Sequence, residues 1–219
     1  MKNLLFFAAF MLLLLGVAGA TDISCPITSP ILVTSSTTIM CGPLTFENFQ
    51  TADLTGGAPG LTDLYVDSAS YNPATFQAVL DFNPNLQAGE DEDLLFEVVG
   101  GINQIDLSVG GTNANITEVA CVNPVFATGY YPGECTNALG TAPGYQLASI
   151  AAGSDGGETS STFTATSPVY IFKDIGTAET NSGLSEFSES FQAVPEPTSL
   201  LLLGTGLGAL GLAGWRRRK

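Results

Sequence analysis

Histidine is absent from the sequence. That absence removes His-based triads, imidazole general bases and nearly every catalytic zinc, iron or copper site, all of which depend on a ring nitrogen that titrates near neutrality or binds metal. Basic residues are scarce as well. Of the six, Lys2 lies near the start, Arg216, Arg217, Arg218 and Lys219 close the chain, and Lys173 stands alone between them. Against that one lysine there are 20 acidic residues over positions 21–194. Such a balance repels phosphate backbones, so no nucleic-acid partner is expected. It suits solubility outside a cell, or weak binding of divalent cations. No GxSxG is present to build a nucleophile elbow, and no Walker loop is present to cradle phosphate. Carboxylate chemistry is what remains, and no cofactor, metal or catalytic residue is assigned.

Four cysteines fall as two local pairs, Cys25 with Cys41 and Cys121 with Cys135. In an exported chain an even number of cysteines reads as disulfides, and local pairing is the simplest of three connectivities. Each closed loop contributes about 3 kcal/mol in the chain-entropy model. A four-thiolate metal site is the competing reading, but its CxxC knuckles are missing.

The two ends differ in composition from everything between them. Lys2 supplies a positive start, residues 4–15 form an unbroken apolar run, and Ala18 and Ala20 offer the small side chains a signal peptidase accepts. Residues 1–20 therefore read as a signal peptide with an apolar helix, and the mature chain is expected to begin at Thr21. A retained N-terminal anchor is the alternative, and the run is short for one. At the other end, Val194-Pro195-Glu196-Pro197 precedes an uncharged stretch, residues 200–215, and then the basic cluster Arg216 to Lys219. Sixteen helical residues rise about 24 Å, slightly less than a bilayer's hydrocarbon core, so a C-terminal transmembrane helix needs Thr198, Ser199 or local thinning to span. The basic cluster acts as a stop-transfer signal that keeps the last residues inside. Pro195 and Pro197 hold their own φ and extend the residues before them, so this segment reads as a stiff stalk.

The order VPEP, Leu/Gly-rich span and terminal Arg/Lys cluster resembles the PEP-CTERM sorting signal, also called the ice-binding-protein C-terminal motif, over residues 193–219. The resemblance implies an exosortase as partner, a transpeptidase-like membrane enzyme that recognises Pro195, Glu196 and Pro197. The membrane is then a partner only before processing, and the body passes to the cell envelope, an exopolysaccharide or a biofilm matrix. An ordinary permanent anchor is the alternative. Ice binding itself is not expected, because no regular Thr-x-Thr ranks occur. Gly206 to Gly211 spells GxGxxG, but no strand precedes it and it lies in the apolar span.

Between the ends, residues 21–192 show no sustained helical period. Short alternating or β-branched stretches recur instead, at 31–39, 44–49, 61–66, 75–82, 94–99, 102–109, 116–122, 145–151, 161–166, 169–175 and 186–191. They predict an all-β body, an antiparallel β-sandwich of jelly-roll type. Phe76, Ala78, Leu80 and Phe82 form one apolar face, Leu94, Phe96 and Val98 a second, and Ile105, Leu107 and Val109 a third, with Gln104, Asp106 and Ser108 opposite. Gly100-Gly101 signals a hairpin. The body also resembles those of other PEP-CTERM proteins in Leu44-Thr45-Phe46 with Phe49, and in Lys173-Asp174-Ile175. That group carries no assigned activity, so the likeness implies none.

Four weaker candidates remain in the body. Glu97 and Glu118, both on predicted strands, are the carboxylates to test for glycoside hydrolysis. Glu90, Asp91, Glu92 and Asp93 read as an acidic loop that either shares a calcium ion or guards an edge strand, and Asp155 with Glu158 is a lesser version. Tyr130 and Tyr131 either stack on sugar rings or pack a disulfide-closed loop. Asn115-Ile116-Thr117 is a formal glycosylation sequon. The leading expectation is a non-catalytic, structural or adhesive exported sandwich, with a carbohydrate- or Ca²⁺-binding module as the alternative and a carboxylate-dependent glycan hydrolase after that.

Overall fold

The computed structural model describes residues 21–53, 64–122, 146–154, 157–178 and 180–194. Their strands are β1 (Thr21–Ser24), β2 (Ile31–Leu32), β3 (Thr37–Cys41), β4 (Leu44–Asp53), β5 (Tyr65–Asn72), β6 (Gln77–Asn83) and β7 (Asp91–Val99). They continue as β8 (Ile102–Val109), β9 (Ala114–Cys121), β10 (Gln146–Gly153), β11 (Thr159–Thr166), β12 (Val169–Thr177) and β13 (Phe187–Ala193). Seven form one sheet in the order β1-β3-β4-β7-β12-β9-β10, and six form the other, β11-β8-β13-β6-β5-β2. All pairings are antiparallel except β1 with β3. The expected all-β sandwich is the observed architecture.

The core between the sheets follows from the period-2 alternation of the strands. Ala78, Leu80 and Phe82 from β6, Leu94, Phe96 and Val98 from β7, and Ile105, Leu107 and Val109 from β8 are all buried. Phe96 stands at the centre of an aromatic cluster, with ring centroids 5.4 Å from Phe49, 5.9 Å from Phe82, 6.0 Å from Phe191 and 6.4 Å from Phe46.

Phe46 and Phe49 sit three residues apart, which in a regular strand would place them on opposite faces. A bulge corrects this. The register with β7 shifts between Glu47 and Gln50, and Asn48 takes φ 58°, a left-handed conformation that asparagine tolerates better than most residues. Both rings are thereby buried in the core.

Four local expectations are corrected. Gly100-Gly101 does not close a hairpin, because β7 and β8 belong to different sheets. The glycines instead let the chain cross between layers: Gly100 has φ 118°, and a Cβ there would meet the Pro43 carbonyl oxygen at 2.1 Å. Phe76 lies before β6 with φ 56° and is exposed, so the apolar face of that strand begins at Ala78. Of the stretch expected at 61–66, residues 61–63 lie outside the described residues, Leu64 precedes the strand and β5 begins at Tyr65. The stretch at 31–39 is broken into β2 and β3 by the turn at Thr34, whose carbonyl accepts from Thr37 N–H.

Cys25 and Cys41 form a disulfide that ties the end of β1 to the end of β3, with Cα atoms 5.0 Å apart. Cys121 is disulfide-bonded too, while Cys135 lies outside the described residues. The predicted signal helix with Ala18 and Ala20, and the predicted transmembrane helix, also lie outside them. Among the described residues no helix is long and apolar enough to cross a membrane.

Candidate functional site

Charged side chains inside the sandwich are the body's least expected feature. In β12 the inward residues are Val169, Ile171, Lys173 and Ile175, and Lys173 is fully buried among them. Its cross-strand neighbour in β9 is Glu118, and from the opposite sheet β13 contributes Glu189, both also at 0% exposure. Lys173 Nζ donates to Glu118 Oε2 and lies 2.8 Å from Glu189 Oε2, with the Phe187 ring centroid at 5.4 Å.

A buried charge is tolerated only when it is paired, and here one cation faces two carboxyls. Burial pulls Lys173 toward its neutral form, but the carboxylates of Glu118 and Glu189 outweigh that and leave its pKa above the ordinary lysine value. For Glu189 the balance runs the other way. Burial, reinforced by the charge of Glu118, pushes it well above the usual carboxylate range, so it holds a proton. Glu118 Oε1 and both oxygens of Glu189 have no aligned donor from elsewhere in the described structure. A proton on Glu189, within hydrogen-bonding reach of Glu118, supplies the missing donor.

The acidic run is not a loop. Asp91, Glu92 and Asp93 lie in β7, a central strand between β4 and β12, so they guard no edge. Asp93 pairs in register with Asp174 of β12. Burial, then the charges of Asp174, Asp91 and Glu92, push Asp93 up to about 7, and burial together with a hydrogen bond to Asp91 raises Asp174 to about 6. No group of metal-ligating side chains able to hold an ion occurs among the described residues.

This pair makes stability pH-dependent with a definite sign. Because the folded pKa of Asp93 lies above its reference value of 3.8, the folded chain binds more protons between those values. Stability is therefore greatest below the lower value and declines as pH rises through about 7. Asp93→Asn, which mimics the protonated acid, is expected to raise Tm relative to the parent most at a pH of about 7.5, by less near 5, and not at all below the reference value of 3.8. An Asn variant whose advantage is the same at all these pH values contradicts this account.

Glu97 and Glu118 are not brought together. Glu118 faces the core, whereas Glu97 points to the opposite face of the same sheet and accepts from Asn48 Nδ2 at 2.8 Å. No groove is shared by this pair. Glu158 and Asn115 are exposed. Asp155, Tyr130 and Tyr131 lie outside the described residues, as do Pro195, Glu196, Pro197, Arg216, Arg217, Arg218 and Lys219. Thr21 opens β1, in register with Thr37 of β3.

One open cavity of about 410 Å³ was not visible in the sequence. Three turns meet there: Asn85 to Gln87 after β6, Gly111 and Thr112 after β8, and Asn181 to Ser185 before β13. Bridges from Leu86 to Leu184 and from Thr112 to Gly183 hold the turns together. The lining offers amides and hydroxyls and no aromatic ring.

Among solved structures, one of TmCBM61 in complex with beta-1,4-galactotriose is similar at 9% identity, covering 66% of this chain and 84% of that one, with a TM-score of 0.31. A superposition at that level carries no inference about ligand or residues. No curated protein matches the chain. The PEP-CTERM protein-sorting motif matches residues 193–219, the segment that begins at the last residue of β13. It is a sorting motif, and the ice-binding name for it is wrong. The motif implies an exported, envelope-associated protein handled by an exosortase. The chain therefore carries a PEP-CTERM protein-sorting motif at residues 193–219, joined directly to β13 of the sandwich.

Proposed function

We propose that this protein is an exosortase-processed surface component whose non-catalytic β-sandwich serves a structural or adhesive role alongside envelope or exopolysaccharide. The sorting motif at residues 193–219 is the observation that carries this reading. Two features of the body support it. Its one basic residue, Lys173, is fully buried, so no Lys or Arg side chain reaches the surface of the described residues. A surface of that kind favours neutral glycans, or anionic ones bridged by divalent cations, over bare polyanions. The two carboxylates singled out as catalytic candidates, Glu97 and Glu118, are also separated onto opposite faces of a sheet.

Processing is tested in the native host by intact mass and cell fractionation. The parent chain is expected without residues 1–20 and without the apolar tail, in the envelope or extracellular fraction. Glu196→Ala is expected to remain uncut and in the membrane fraction. Recovery of the parent from the cytosol, with its leader intact and its thiols reduced, ends the proposal.

A second reading, a glycan-binding module, is favoured by the amide- and hydroxyl-lined cavity, whose volume lies within the range of small-ligand sites. A glycan array with and without EDTA separates the two. Saturable binding that is weakened by Asn181→Ala supports the module, and its absence leaves the structural role.

A further inference from the structure

We propose that Lys173 and Glu118 become joined by an intramolecular amide bond, with Glu189 as the acid that shuttles the proton. Three observations converge on this. Nζ of Lys173 already donates to Oε2 of Glu118, its register neighbour, so nucleophile and carboxyl are held together by the pairing of β12 with β9. A second carboxyl, Glu189, lies 2.8 Å from the same nitrogen and within hydrogen-bonding reach of Glu118. All three side chains are fully buried beside the Phe187 ring, away from bulk water.

The chemistry balances without any outside reagent. A proton passes from the Lys173 ammonium to the Glu118 carboxylate along their hydrogen bond, leaving an amine beside a carboxylic acid. The ion pair is the resting form, since the carboxylates outweigh burial at Lys173, but desolvation lowers the cost of the exchange because it replaces two buried charges with none. The Nζ lone pair then attacks Cδ of Glu118. Glu189 gives its proton to the departing hydroxyl and takes one from the nitrogen, so the Nζ–Cδ bond forms, a Cδ–O bond breaks and one water leaves. Glu189 ends as it began, a protonated acid, in keeping with the burial that holds it well above the usual carboxylate range. Holding the groups in contact supplies the effective concentration that the same condensation lacks in solution.

Glu118 is the acceptor and Glu189 the shuttle because the aligned hydrogen bond runs to Glu118, whereas the Lys173–Glu189 contact is close without hydrogen-bond alignment.

The composition of the chain provides an unusually clean assay. Lys173 is the only Lys or Arg between positions 3 and 215, so trypsin has one cutting site in the unfolded body. The full chain, isolated from an exporting host, is denatured, reduced and alkylated before digestion. Its mass is expected to be short by one water, cleavage after Lys173 is expected to be lost, and mapping with an acid-specific protease is expected to recover the Lys173 and Glu118 peptides linked. Glu189→Gln is expected to keep the missing water and to regain the tryptic cut. A wild-type chain with full mass that is cut after Lys173, or a link mapped to Glu189, overturns the proposal. Complete linkage in Glu189→Gln overturns the shuttle. Should that variant fail to fold, the wild-type mass and digestion still decide the matter.

Discussion

Measured against the parent chain before any Lys173–Glu118 amide has formed, replacing Lys173 with methionine is expected to cost the fold about 3–5 kcal/mol, because removing one member of a buried ion pair leaves its partner uncompensated. Two partners are left here. Glu118 and Glu189 would face each other at 0% exposure with no cation between them. Both must then take up protons to remain buried, which gives the variant a second property. A carboxyl whose folded pKa is raised above its unfolded value adds stability at low pH and loses it as pH rises, so Lys173→Met is expected to recover partly on acidification. Urea unfolding at two pH values reads both effects. The triple variant Lys173→Met with Glu118→Leu and Glu189→Leu is expected to regain most of the loss, since well-packed apolar residues replace buried ion pairs at little or no cost. A single variant as stable as the parent, or a triple variant weaker than the single, contradicts this account of the triad.

Phe96→Ala is expected to have an effect of similar size, about 3–5 kcal/mol, for a different reason. The ring is fully buried and contacts aromatic neighbours from both sheets, Phe49 on its own sheet and Phe82 and Phe191 on the other. Backbone strands on each side are fixed by their ladders, so the cavity cannot collapse readily and both the transfer and cavity penalties apply. Phe76→Ala provides the control. With 38% of its surface exposed and φ 56°, Phe76 is expected to change stability little. Equal midpoint shifts for Phe76→Ala and Phe96→Ala would show that the core has been misplaced.

Much of the sandwich was legible because strand alternation is local. Leu94, Phe96 and Val98, or Ile105, Leu107 and Val109, declare their face without reference to the rest of the chain. What failed depended on neighbours distant in sequence. Gly100-Gly101 has the composition of a hairpin, and only the partners of β7 and β8 reveal a crossing between sheets. The acidic run 90–93 has the composition of a loop, yet β4 and β12 recruit most of it into a central strand. Phe49 required a bulge that only pairing with β7 makes visible.

The buried triad was partly legible and went unread. Val169, Ile171, Lys173 and Ile175 alternate in one phase, as do Ile116, Glu118 and Ala120, and again Phe187, Glu189 and Phe191. A charged residue at the inward phase of three separate strands is a signal in itself, the more so when one of them is the only lysine in the body. Their convergence was beyond local reading, because it takes the β9–β12 register and the stacking of β13 from the other sheet to bring them together.

The last strand leads straight into the sorting motif, and that strand is an interior one. β13 is flanked by β8 and β6, with Phe187 to Gln192 paired on both sides. Tension applied through a tethered tail would enter the body along the axis of β13 and act in shear on both ladders at once. Bonds loaded together resist detachment far better than bonds opened in succession, so this sandwich is arranged to be pulled from its C-terminal end without unravelling.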